Sequence, residues 1–109
     1  MKLTVNKEQI IEGLLKAAAI IPAKAGAQYL RSIWLKAEEG SLSVMSTDAN
    51  IEFTGRYPAE VAKPGLIGVQ GRAFVDLVRQ LPTGVLHLTL DEASDNLLIE
   101  QGRRTYKLP

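Results

Sequence analysis

The 109 residues, 46% hydrophobic and 23% charged, suffice for a single core and exclude the disordered, collagen-like and membrane-spanning classes. The absence of cysteine excludes a disulfide scaffold, a thiolate metal site and a thiol nucleophile and fits a reducing, cytoplasmic setting; the one histidine, His87, excludes an imidazole-rich metal centre. The net charge of +1 hides a partition: residues 1–36 carry six basic side chains against two acidic and 63–82 three against one, whereas 37–62 carry one against five and 83–109 three against four.

Leu3 and Val5 open the chain as a short extended segment. Asn6 is placed to cap a helix in which Ile10, Ile11, Leu14, Leu15 and Ala18 recur at helical spacing, and Pro22 stops it. Lys24, Ala25 and Gly26 form a loop. Ile33, Leu35 and Ala37 then alternate with Ser32, Trp34 and Lys36 as in a half-buried strand. Glu39-Gly40 turns the chain into a second strand, Leu42 to Thr47, and Asp48-Ala49-Asn50 turns it into a third containing Ile51, Phe53 and Gly55. Pro58 to Gly65 reads as a linker by composition.

Beyond it the pattern begins again. Leu66, Ile67 and Val69 are extended, and Gln70 or Gly71 opens a second helix with the apolar stripe Phe74, Leu77, Val78 and Leu81, ended by Pro82 and Gly84. Leu86, Leu88 and Leu90 alternate with His87 and Thr89. The acidic run Asp91 to Asp95 turns the chain, Leu97 and Ile99 begin another strand, and Gly102 leads into the last, Arg103 to Leu108. Leu42 to Phe53 and Leu97 to Leu108 are both twelve residues of strand, polar turn and strand. A β-α-β-β-β unit thus occurs twice, which predicts an α+β domain with two helices packed on one face of antiparallel sheet. Positive charge falls in the helical segments. The chain is strand-like through Tyr106-Lys107-Leu108-Pro109, which predicts a piece of a longer polypeptide. The longest apolar stretch, Ala17 to Ala23, is too short to span a membrane, and no targeting segment or membrane partner is expected.

Catalytic constellations are scarce. The strand-to-helix turn Val69-Gln70-Gly71-Arg72 has one glycine and no Lys-Ser/Thr, so it is no phosphate cradle. His87 lies on the outward face of a strand, where a solvated polar side chain is expected. The carboxylates Asp48 with Glu52, and Asp91, Glu92 and Asp95, sit at turns that Asp stabilises through local hydrogen bonds. No catalytic residue, metal or cofactor is expected. What remains is a basic set, Lys7, Lys16, Lys24, Arg72 and Arg79, which one helical face could present to phosphates without any base-reading signature.

The opening Met1-Lys2-Leu3-Thr4-Val5, the segment Gly40-Ser41-Leu42-Ser43-Val44 running into Thr47-Asp48, the stretch Arg72 to Pro82 (RAFVDLVRQLP) and Gly102 to Leu108 (GRRTYKL) resemble, in order and spacing, the N-terminal domain of the bacterial DNA polymerase III beta subunit, the sliding-clamp family. The likeness runs over residues 1–109. It departs at Ala27-Gln28-Tyr29-Leu30, where the family has a Pro before Ile-Leu, and at Asn50, where an acidic residue is common. The resemblance implies a DNA clamp fold, a chain of three such domains and a homodimeric ring around double-stranded DNA. It implies a non-catalytic processivity factor for DNA polymerase III, with the polymerase and clamp loader held by domains outside these residues. Lys24, Arg72 and Arg79 match basic positions facing DNA. Gly102 to Leu108 matches the edge strand at the dimer interface, where Arg103 would meet carboxylates and Tyr106 and Leu108 would supply apolar contact. A stand-alone module pairing through that strand is the second reading, and a small hydrolase using the acidic turns the third.

Overall fold

In the computed structural model, which describes residues 1–22 and 28–109, the alternating and helical patterns become β1 (Lys2–Asn6), α1 (Lys7–Ala19), a 3-10 turn (Gln28–Arg31), β2 (Ser32–Glu38), β3 (Ser41–Thr47), β4 (Glu52–Pro58), β5 (Glu60–Lys63), β6 (Gly65–Gln70), α2 (Gly71–Gln80), β7 (Val85–Asp91), β8 (Asn96–Gln101) and β9 (Arg104–Leu108). The strands form two antiparallel sheets, ordered β4-β3-β2-β6 and β5-β1-β7-β8-β9. The two repeated units therefore interlock. Each sheet takes three strands from one unit and the leading strand of the other, with β6 beside β2 and β1 beside β7. Neither unit keeps its own first strand, so neither closes its sheet alone.

The inward faces of both sheets and both helices share one core. Leu3, Val5, Leu86, Leu88, Leu97 and Ile99 come from one sheet, and Ile33, Leu35, Leu42, Val44 and Val69 from the other. Ile10, Leu14 and Ala17 of α1 meet Phe74, Val75 and Val78 of α2 in the same cluster. Helix α1 packs on β3 and β4, and α2 on β2 and β6, so the helices lie side by side on one face of the four-stranded sheet, as the sequence led us to expect. Ser46 ties α1 down by donating its hydroxyl to the Ala17 carbonyl, 2.8 Å away in the interior.

The segment read as a linker contains β5. Its Pro58, Pro64 and Gly65 dominate the composition, but the open edge of β1 supplies a partner, pairing Leu3 with Val61 and Thr4 with Glu60. Asn6 stands at the N-cap of α1 without a side-chain cap bond. The Lys7 amide instead donates to the Gly84 carbonyl at 2.9 Å, so the α2–β7 connection does the capping. Ile51 falls in the turn before β4 and is 57% exposed. Arg103 lies in the turn before β9, not in the strand.

Two glycines have a steric reason. The Tyr57 ring fills a notch between α1 and β4, where a Cβ on Gly13 would come within 1.7 Å of its Oη and one on Gly55 within 2.2 Å. Gly13→Ala should therefore destabilise the fold by about 1–3 kcal/mol through overpacking, although alanine is the better helix former. Urea denaturation should show that loss shrinking in a Tyr57→Leu background; a stabilising Gly13→Ala would refute the notch.

The acidic turns titrate as structural groups. Asp48 Oδ1 accepts the Ile51 and Asn50 amides at 2.7 and 2.8 Å, which holds its carboxyl below the usual carboxylate range. Asp91 is lowered likewise, first by the Ser94 hydroxyl at 2.8 Å and then by the Ala93 amide. A depressed folded pKa means that the stabilisation is complete above the unfolded value and is lost as pH falls through the folded one. Stability should thus decline below about pH 4, and an Asp48→Asn, Asp91→Asn variant should show a flatter melting-temperature profile there.

Candidate nucleic-acid interface

Helix α1 ends in small residues and helix α2 begins at Gly71, whose missing side chain lets the Ile21 and Ile33 side chains approach. The helices run antiparallel, because the first residue of α1, Lys7, reaches the end of α2, and Arg72 in the first turn of α2 reaches the chain just after α1. Lys7 and Arg79 thus sit at one end of the pair, and Lys16 and Arg72 toward the other.

The five cations read from the sequence differ in what they do. Lys16 is exposed and forms an i,i+4 ion pair with Glu12, Nζ to Oε1 at 3.1 Å. Arg79 is exposed and stands 3.8 Å from Asp76 Oδ1. Each of these exposed cations is therefore paired with a carboxylate on its own helix, and the positive field of this face is muted. Lys7 Nζ donates to the Arg79 carbonyl at 3.0 Å and also to the Leu81 carbonyl. Arg72 Nη2 donates to the Ile21 carbonyl at 3.0 Å. Lys24 lies outside the described residues.

Sequence reasoning missed Glu8 and Gly84: Glu8 Oε2 accepts the Gly84 amide at 3.1 Å, completing a clasp between the start of α1 and the loop after α2. A signal was available. Glu8 stands in the first turn of α1, where the helix macrodipole favours a carboxylate, although no local pattern named Gly84 as its partner.

Strand β9 is an edge of the five-stranded sheet and, among the described residues, pairs with β8. Its Arg104, Thr105 and Lys107 are exposed and Tyr106 is half-buried. Leu108, expected from the resemblance to supply apolar contact to a partner, is 7% exposed in this domain and packs with its core. Arg103 is exposed in the preceding turn.

His87 is exposed and its Nδ1 lies 3.0 Å from the Thr4 hydroxyl across the strand pair, a surface side-chain contact. Glu92 is paired with Lys63 at 3.3 Å. No group of three or more acidic or histidine side chains converges among the described residues, and no described helix is long and apolar enough to cross a membrane.

Comparison with known proteins matches residues 1–109 to the family model of the DNA polymerase III beta subunit, N-terminal domain. The chain is 31% identical over 105 residues to the beta sliding clamp of Streptomyces coelicolor and 30% identical over 109 residues to that of Vibrio cholerae. These alignments cover 96% and 99% of the chain but only 28% and 30% of the relatives' lengths. The DNA polymerase sliding clamp of Caulobacter crescentus superposes with a TM-score of 0.94 at 28% identity, over 100% of this chain and 30% of that one. The interlocked sheets with their paired helices are thus those of a sliding-clamp domain, and the chain belongs to the family of the DNA polymerase III beta subunit, N-terminal domain.

Proposed function

We propose that this chain is a domain of a non-catalytic sliding clamp, a replication processivity factor that encircles duplex DNA and tethers DNA polymerase III. One observation carries the reading: two adjacent helices form a single surface layer bearing Lys16 and Arg79, each beside a carboxylate. A ring held by topology needs weak, sequence-indifferent phosphate contacts, since strong or base-specific ones would arrest it. The muted field suits that task better than it suits tight binding. Lys16, Arg79 and Lys24 are the proposed phosphate contacts.

The ring closes, in this reading, through the free edge of β9, which pairs with a strand of a second copy of the polypeptide carrying this domain. The other edge of the same sheet, β5, is only four residues long and has an irregular register against β1, so it is the poorer template. Arg103, Arg104 and Lys107 select an acidic partner strand, while Tyr106 supplies the apolar contact and Leu108 holds β9 in place from within. Polymerase and clamp-loader binding are assigned to domains other than this one.

Retention on circular DNA tests the central claim. The polypeptide carrying this domain should stay on closed circular duplex and leave once it is linearised; equal release from both would contradict topological holding. Lys16→Glu with Arg79→Glu should reduce loading several-fold more than Glu38→Lys with Glu92→Lys. Equal effects would move DNA off the helical face. Tyr106→Ala should raise the dimer dissociation constant about tenfold to a hundredfold, the loss of about 1.5–3 kcal/mol of apolar burial, as read by sedimentation.

A further inference from the structure

Both helices begin with an anomaly. Lys7 is the first residue of α1 and Arg72 the second of α2, where the macrodipole favours carboxylates. Neither cation points its charge at its own helix end. Lys7 Nζ donates to the Arg79 and Leu81 carbonyls, among the unsatisfied acceptors at the end of α2. Arg72 Nη2 donates to the Ile21 carbonyl, just beyond the end of α1. The arrangement is reciprocal: each helix start lends a cation to the other helix's negative end, because the antiparallel packing of α1 and α2 brings starts beside ends. At the Lys7 end the backbone reinforces it, through the Lys7 amide on the Gly84 carbonyl and the Gly84 amide on Glu8.

We propose that Lys7 and Arg72 are reciprocal cross-helix caps that fix the register of α1 against α2, and that Lys7 is a positioning residue and not a phosphate contact. Two of the three ammonium protons of Lys7 are committed to carbonyls, which leaves it poorly placed to follow a moving phosphate. Arg72 keeps further donors after serving Ile21, so its capping role does not depend on whether it also touches DNA. The effect on DNA rests on the clamp reading above; the capping does not.

Amide hydrogen exchange on the 109-residue chain separates these roles, because capping acts across helices. Lys7→Met should lower protection tenfold or more in the last turn of α2 and the Gly84 loop, with α1 less affected. Arg72→Met should do the same at the end of α1. Lys7→Arg should restore most of the protection lost in Lys7→Met, and Lys7→Gln, which keeps a donor, serves if the methionine variant does not fold. Loss confined to the substituted helix, or spread evenly, would overturn the reciprocal caps. Salt titration of binding to duplex DNA gives the second readout: the slope of log K against log salt should be unchanged in Lys7→Met and should fall by about one in Lys16→Met. A fall of about one in Lys7→Met would return Lys7 to the phosphate contacts. The exchange pattern decides the caps whatever the parent chain's affinity for duplex DNA, which the clamp reading expects to be weak, and release of the polypeptide carrying this domain from closed circular duplex decides the clamp reading.

Discussion

The exchange of leading strands between the two β-α-β-β-β units is the constraint on which the rest depends. Because β1 pairs with β7 and β6 with β2, each unit completes the other's sheet. The two helices pack together and run antiparallel, the start of each beside the end of the other. Their apolar stripes then meet in one core, where Phe74, Leu14 and Ile10 are fully buried, and truncating any of them would cost about 2–5 kcal/mol. One topological choice thus sets the core, the helix pair and the surface that the pair presents.

The electrostatics of that surface follow from the same choice. Antiparallel helices place each positive start beside a negative end, and cations in the first turns are drawn across to foreign carbonyls. Lys7 and Arg72 are engaged in this way, whereas Lys16 and Arg79 remain in solvent beside Glu12 and Asp76. A basic residue on a helix is therefore not a uniform currency. Its meaning depends on which acceptors the neighbouring chain brings within reach.

Sheet edges complete the picture. Short β5 covers one side of β1 and ends at Pro64, which blunts that edge, while β9 offers five residues with unpaired backbone on its outer side. The burial pattern of β9 divides its labour: Leu108 anchors the strand inward, and Arg104, Thr105 and Lys107 face solvent.

Local alternation and helical spacing made most elements readable, since side-chain period is a property of consecutive residues: Leu86-His87-Leu88 determined its own strand, and Phe74, Leu77, Val78 and Leu81 their own helix. The doubled unit, the hydrogen-bonded roles of Asp48 and Asp91 and the outward position of His87 were legible for the same reason. Strand β5 was not, because four residues between Pro58 and Pro64 acquire their conformation from the open edge of β1, which is remote in sequence. The division into two sheets, the burial of Leu108 and the capture of Lys7 by the end of α2 were likewise decided by tertiary structure. Each depends on which distant backbone atoms arrive beside a residue, and no local pattern encodes that arrival.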